Sequence, residues 1–169
     1  MTTILETKRL TLRHLVPEDL DALWSLYSNP EITKYIPDAP RSYEEAREEM
    51  EWFMHGHPKH PELGLWATIY KETGEFIGRC GLLPSTIDGQ KEVEVAYTIV
   101  QEFWGQGLAT EAAKGIVQYG FENLHLVRLI CLIEQENQAS IKVAKNIGMS
   151  YEKEGRDEKG PFQIYSISK

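Results

Sequence analysis

The chain of 169 residues has only two cysteines, no long apolar run and no excess of basic side chains. Cys80 and Cys131 both lie in apolar, strand-like stretches, which indicates small buried side chains in a reducing compartment and not a disulfide framework or a metal pair. No stretch approaches the roughly 20 apolar residues of a membrane span. The N-terminal residues also lack the basic start and apolar run of a signal peptide. We therefore expect a cytoplasmic protein that does not bind membranes.

The net negative charge of the chain argues against nucleic acid as a partner. The formal net charge is −8, which is unfavourable for binding nucleic acid through its phosphates and compatible with a cationic substrate such as an amine. Apolar residues make up 41% of the chain and charged residues 26%, as in ordinary globular proteins. Since the chain contains no repeat, low-complexity segment or linker, the sequence predicts a single domain over residues 1–169.

A glycine turn organises the chain. Residues 93–100 are rich in β-branched and aromatic side chains, which predicts a strand, and apolar residues recur at helical spacing over 107–123. Gly105 and Gly107 lie between the two and let the backbone approach a bound group. Because the first turn of a helix leaves N–H groups unpaired and the helix dipole favours anions, this turn predicts a phosphate site. A plain strand-to-helix turn is the alternative, since the P-loop lysine and the third glycine of a dinucleotide fingerprint are missing.

The remaining patterns predict one mixed sheet with flanking helices, of the α/β (α+β) class. Turn residues at 72–74 and 88–89 join three strands into an antiparallel meander. The strand over 93–100, the helix after it and the apolar strand beyond it form one parallel crossover in a mostly antiparallel sheet. The predicted strands cover 7–13, 65–70, 75–83, 93–100, 127–133 and 162–167. The predicted helices begin at Pro17, after Ser42, at 107 and after Asn137, with a short helical turn over 31–35.

Three histidines, His55, His57 and His60, lie close together in a loop that is rich in glycine and proline. Such spacing can indicate a metal site, but no carboxylate or cysteine completes the ligand set and prolines interrupt the backbone. We therefore expect a solvated loop near the substrate entrance and no metal.

Three stretches together resemble the GNAT family of acetyl-CoA-dependent N-acetyltransferases. The turn at 104–112 matches the family's pyrophosphate loop, Arg/Gln-x-x-Gly-x-Gly/Ala, except that Trp104 takes the first position. The second stretch covers 136–149, and the third is the opening at 7–13 with Pro-Glu-Asp at 17–19. They occur in the family's order and are most similar to the RimJ/RimL-type branch, which acetylates protein N-termini. The resemblance implies a GNAT fold over nearly the whole chain.

The resemblance also implies acetyl-CoA as co-substrate and assigns residues to its parts. In the family the loop amides hold the pyrophosphate, and the pantetheine arm pairs with the strand before the loop as an added strand would. A backbone N–H near Ile99 or Val100 would stabilise the charge that develops on the thioester oxygen. Asn137 would bond to the pantetheine amides or cap its helix, and Lys145 would reach the 3′-phosphate or stay solvated. The implied cofactor-binding residues are Thr98, Ile99, Val100, Trp104, Gly105, Gln106, Gly107, Leu108, Ala109, Thr110, Asn137 and Lys145.

Two residues are implied as catalytic. Glu94 matches a glutamate common in this branch and is expected to act as general base through water. The alternative is that it faces solvent or pairs with a basic residue, and Glu92 lies on the same face, where the two could share the work. Ala144 stands where many GNAT enzymes carry a tyrosine, so Ser140, one turn earlier, is expected to donate a hydrogen bond to the departing thiolate. Its alternative role is to satisfy backbone groups at the helix start.

The predicted reaction is transfer of an acetyl group to a primary amine, by direct attack in a ternary complex. The amine belongs to a peptide N-terminus or to a small molecule, and the sequence does not choose between them. A non-catalytic acyl-CoA sensor is the alternative, because of Ala144, and the late position of the glycine turn disfavours a nucleotide-binding oxidoreductase. The acceptor side is expected within 17–63, where Trp24, Tyr35, Trp52 and Phe53 either line a site or belong to the core. A homodimer is also possible.

Overall fold

The structure, a computed structural model, describes residues 2–169. Over that range eight strands form one mixed sheet in the order β1-β2-β3-β4-β5-β6-β8-β7, which confirms the predicted fold class. The strands are β1 (Thr3–Glu6), β2 (Leu10–Arg13), β3 (Gly64–Tyr70), β4 (Phe76–Ile87), β5 (Gln90–Ile99), β6 (Arg128–Ile133), β7 (Ser150–Asp157) and β8 (Gly160–Ser168). The helices are α1 (Leu20–Tyr27), α2 (Pro30–Thr33), α3 (Tyr43–Phe53), α4 (Leu108–Glu122) and α5 (Gln138–Asn146).

The central meander is longer than its sequence pattern predicts. Strands β3, β4 and β5 are antiparallel, and the β4–β5 turn has Asp88 at φ 51° and Gly89 at φ 79°, the backbone that tight hairpins require. The strand predicted to end at 83 continues past Pro84, which is paired with Val93. Pro84 removes no ladder bond, because its missing N–H faces the side on which β3 has ended opposite Leu82.

Two edge strands were missed by the sequence analysis. The first predicted strand begins at Leu10, not at Thr7, because Thr7 closes a turn in which its Oγ1 accepts from the Leu10 N–H at 3.1 Å. That turn leads back to β1, a strand of four residues. Strand β7 is exposed along most of its length, so its polar residues show no alternation. Short or charged edge strands are common because they resist unwanted pairing with other chains.

The predicted parallel crossover is present and is the feature that creates the site. Strands β5 and β6 are parallel neighbours, but they pair only at Glu94 and Ile130. Beyond Glu94 the two strands separate, which opens a gap in the middle of the sheet. Helices α4 and α5 pack over one face, and α1 to α3 over the other, each around its own apolar cluster. Among residues 2–169, no helix is long and apolar enough to cross a membrane.

Candidate active site

A cavity of about 1340 Å³ lies at the gap between β5 and β6. Its walls come from β4, β5, β6, the glycine turn, the start of α5 and the segment between α2 and α3. The cavity therefore reaches both faces of the sheet. Residues of the turn at 104–110 and Glu94 both contribute to its lining.

The glycine turn presents unpaired backbone donors to this cavity. Gly105 and Gly107 adopt φ 80° and φ 75°, a region that other residues rarely enter. Gly107 is the N-cap of α4 and offers no side-chain cap. Among the residues described, no cap side chain or loop carbonyl accepts from the N–H groups of 105–110. These N–H groups, with the helix dipole behind them, suit a pyrophosphate.

The backbone groups at the end of β5 do not all face the gap, as binding of the pantetheine arm and thioester would require. The Val100 N–H donates to the Ile77 carbonyl at 2.7 Å, so it points toward β4 and is not free to stabilise a thioester oxygen. Because backbone groups alternate in direction along a strand, those of Thr98 also face β4, while those of Ile99 face the gap. Trp104, at the position where the family has arginine or glutamine, donates its indole N–H to the Ile99 carbonyl at 2.7 Å. This hydrogen bond joins the turn to β5. The Ile99 N–H remains as the donor directed into the gap.

The cavity brings together most of the residues predicted for the cofactor. Three of them, Val100, Gln106 and Lys145, do not line it, whereas Lys142, one turn from Lys145 on α5, does. Asn137 caps α5 through its Oδ1, which accepts from the Ser140 N–H at 3.2 Å. The helix-capping alternative for Asn137 is therefore what the structure shows, and the residue still lines the cavity.

Glu94 is a carboxyl group at the cavity wall that makes no ion pair with any residue in the described chain. Burial raises its pKa from 4.5 to about 7, although the nearby Ser85 hydroxyl and the charge of Arg79 both favour the carboxylate. A glutamate facing open solvent or bound to a cation would not behave in this way. A pKa near the working pH is what a general base requires.

Glu92, the residue that was expected to share this work, is held elsewhere. Its carboxylate accepts from Arg128 at 2.9 and 3.0 Å, and Arg128 also binds Glu152 at 2.7 Å. Glu92 does not line the cavity. This ion-pair network lies at the start of β6, where it joins three strands and leaves Glu94 as the carboxylate of β5 at the gap.

Ser140 is paired with a tyrosine that the sequence analysis did not single out. The Ser140 hydroxyl donates to Tyr97 Oη at 3.0 Å, and the Tyr97 hydroxyl donates to the Ser140 carbonyl at 2.9 Å. Tyr97 comes from β5 and reaches across the gap to α5, and burial raises the pKa of its phenol. Ala144, at the family's tyrosine position, is fully buried in the core. A phenol is therefore present near this point, but it comes from the opposite wall.

A second unpredicted group forms the floor of the cavity on the α1–α3 side. Arg79 on β4 is 6% exposed, and its Nε donates to Tyr27 Oη at 2.8 Å. Tyr27 in turn donates to Glu49 on α3. Arg79 and Glu49 both line the cavity. An arginine inside an otherwise apolar strand is the sequence signal that points to this group, because buried charges require partners or a function.

Of the four aromatic residues expected on the acceptor side, two line the cavity and two do not. Tyr35 and Phe53 line the cavity, and the Tyr35 hydroxyl donates to the Glu136 carbonyl at 3.2 Å. Trp24 and Trp52 lie outside it, and Trp52 is 55% exposed. Within 2–169, no group of three histidine, cysteine or acidic side chains is arranged to hold a metal ion.

Comparison with known proteins identifies the class of protein. The family described as "Acetyltransferase (GNAT) domain" matches residues 9–150, and the chain belongs to this family. It is 36% identical to an uncharacterized N-acetyltransferase, p20, of Bacillus licheniformis, over 89% of this chain and 83% of that one.

Solved structures agree with this assignment. A GNAT-family acetyltransferase from Bacillus anthracis has a TM-score of 0.82 at 23% identity, with 99% of this chain and 98% of that chain covered. RimL, a ribosomal L7/L12 N-acetyltransferase solved with coenzyme A, has a TM-score of 0.78 at 16% identity, with 98% and 97% covered. These similarities concern the fold. The family assignment makes the chain an acetyl-CoA-dependent N-acetyltransferase.

Proposed function

We propose that the protein acetylates a primary amine, either a peptide N-terminus or a small molecule, by direct attack on acetyl-CoA in a ternary complex. The observation that carries this proposal is the placement of Glu94. A half-buried carboxyl, whose pKa desolvation raises to about 7, and the unpaired amides of the glycine turn both line the cavity. The two halves of a transfer site thus share one cavity.

The donor side fits the phosphates and the thioester of acetyl-CoA. The N–H groups of 105–110 receive the pyrophosphate, and the open edge of β5 takes the extended pantetheine arm as an added strand. The Ile99 N–H, which faces the gap, donates to the thioester oxygen as negative charge develops on it. Lys142 lines the cavity on α5 and is better placed for a phosphate than Lys145.

The acceptor side must first supply a neutral amine. An α-amine ionises at a pKa of about 7.7–8.0, so the Glu94 carboxylate needs little driving force to take its proton, directly or through one water. The amine nitrogen then attacks the thioester carbon, the C–S bond breaks, and the sulfur leaves as a thiolate. Glu94 thus holds the first proton of the ammonium, and the second, which the nitrogen loses on attack, passes to the thiolate to give the coenzyme A thiol.

The thiolate needs a hydrogen bond or a proton as it departs. Ser140 supplies this from the start of α5 when its hydroxyl, which donates to Tyr97 Oη in the structure, turns toward the sulfur. A serine hydroxyl is a weak acid, so its main contribution is a hydrogen bond to sulfur.

We also propose that the protein belongs to the RimJ/RimL-type branch, on the motifs at 7–13 and 104–112.

The experiment is a turnover assay of the purified protein with acetyl-CoA and a panel of amines, amino acids and short peptides. We expect coenzyme A thiol to appear together with an acetylated product detected by mass spectrometry. A protein that binds acetyl-CoA by calorimetry but releases no thiol with any acceptor would be a sensor, and the proposal would be wrong.

A further inference from the structure

Arg79 leaves two of its nitrogens without a partner at the floor of the cavity. The side chain is 6% exposed, and its guanidinium lies over the Tyr27 ring at 5.6 Å. Its Nε is bonded to Tyr27, but neither terminal nitrogen has a hydrogen bond or an ion pair within residues 2–169. A buried arginine normally uses its fork of N–H donors fully. Four N–H bonds are thus available to a molecule in the cavity.

Arg79 and Glu94 lie on the same face of the sheet, toward α1 and α3. Arg79 is paired with Thr98, and Leu83 with Glu94, and residues two apart along a strand share a face. The Cα atoms of Thr98 and Glu94 are about 14 Å apart at 3.4 Å per residue. Only Ala96, a small residue, lies between them on that face. The long side chains of Arg79 and Glu94 therefore lie on either side of a short stretch of the cavity surface.

We propose that Arg79 binds the carbonyl or carboxylate oxygen attached beside the reacting amine, so that the acceptor is an α-amino acyl compound. This inference rests on the proposed amine acetylation. In such a compound the nitrogen and the oxygen are three bonds apart, which lets the amine face Glu94 while the oxygen meets the guanidinium. Arginine is suited to this contact, because its planar fork matches carboxylate and carbonyl oxygens. A polyamine would instead bring a second cation toward Arg79.

The charge around Arg79 allows either form of the oxygen. Glu49 accepts from the same Tyr27 hydroxyl that Arg79 contacts, so part of the positive charge is already compensated. A neutral peptide carbonyl therefore leaves no unbalanced charge, and a free carboxylate gains a direct ionic contact. A free amino acid and the first residue of a peptide share this chemistry.

The test compares phenylalaninamide with phenethylamine, which lacks the carbonyl group, in the wild type and in Arg79→Met. The α-amine of the amide ionises at about pH 8 and the alkylamine at about pH 10, so the preference of the wild type alone is not decisive. The ratio of kcat/KM for the two acceptors, compared between the two proteins, cancels this difference. It also cancels any fraction of the variant that fails to fold.

We expect the preference for the amide to fall about 10- to 100-fold in Arg79→Met, the range for one charge-assisted hydrogen bond, with most of the change in KM. Arg79→Lys, which keeps the charge but not the fork, should give an intermediate ratio. Phenylalanine and phenylalanylglycine identify the source: a better free amino acid favours the carboxylate, and a better dipeptide favours the peptide carbonyl.

An unchanged ratio in Arg79→Met would overturn the role of Arg79. Acetylation of either compound would in that case leave the proposed acetyl transfer standing. If no amine of any kind were acetylated, the proposed function itself would be wrong, and the inference about Arg79 would be lost with it.

Discussion

Replacement of Glu94 by glutamine should make the folded protein more stable above pH 7 and change little at acid pH. In the folded protein the pKa of this carboxyl is about 7, raised mainly by burial, against a reference of 4.5. Between these two values the folded state keeps a proton that the unfolded chain has released. The free energy of unfolding of the wild type therefore falls as pH rises from 4.5 to 7. Glutamine has nearly the shape of the protonated carboxyl and does not titrate.

The size of the effect follows from the same two values. A change from 4.5 to about 7, at about 1.36 kcal/mol for each pH unit, gives a gain of about 3 kcal/mol for the variant above pH 7. The measurement is urea denaturation of both proteins at intervals from pH 5 to 8.5. Glu154→Gln, on the exposed strand β7, controls for the loss of one surface charge. A difference between wild type and Glu94→Gln that stays constant over this range would refute the burial of an ionisable group at this position.

The same variant should lose activity without losing the cofactor. In the wild type kcat/KM should rise with pH through about 7 as Glu94 gives up its proton. The variant should lack this rise and turn over about 10²- to 10⁴-fold more slowly, the usual contribution of a general base. Calorimetry should give the same affinity for acetyl-CoA in both proteins. Equal losses of turnover and of cofactor affinity would instead assign Glu94 a structural role.

Three further predictions concern the rest of the site. Gly107→Val should weaken acetyl-CoA binding in calorimetry while Gly107→Asn keeps most of it, because the position needs a positive φ that asparagine tolerates and valine does not; equal losses would contradict this. Ser140→Ala should lower kcat more than KM in steady-state kinetics, and Tyr97→Phe should lower kcat less, since the serine hydroxyl remains; the reverse order would make the phenol the direct donor. Glu111→Gln should reduce the free energy of unfolding in urea by about 1–3 kcal/mol, because its carboxylate accepts from Thr7 Oγ1 at 2.6 Å, and an unchanged stability would show that this contact contributes little.

The glycine turn was predictable because its signals are local. Gly105 and Gly107 both have positive φ, and the helix begins at Leu108 as its apolar spacing indicates. A Cβ on Gly107 would meet only the Arg9 guanidinium, at 3.8 Å, so the backbone conformation and not crowding makes glycine necessary here.

The other half of the site depends on contacts that no local pattern carries. Arg79 reaches Tyr27 across 52 positions of sequence, and Tyr97 reaches Ser140 across 43. A tyrosine on an apolar strand gives no indication of whether its hydroxyl will meet a helix on the far side of a gap. Glu92 shows the same limit in the other direction. From its spacing in the sequence, Glu92 is as good a candidate for the general base as Glu94. Only the ion pair with Arg128 on the neighbouring strand excludes it from the site.

The three stretches that carry the family resemblance are joined by such contacts. Glu111, on the first helical turns after the glycine loop, accepts hydrogen bonds from Thr7 and from the backbone and Nε of Arg9, at 2.6 to 2.8 Å. The opening motif therefore holds the start of α4, whose N–H groups form the phosphate site. The stretch at 136–149 is tied to β5 through Ser140 and Tyr97. Because each stretch fixes one wall of the cavity against another, loss of any one of them would move the groups that hold the donor relative to Glu94.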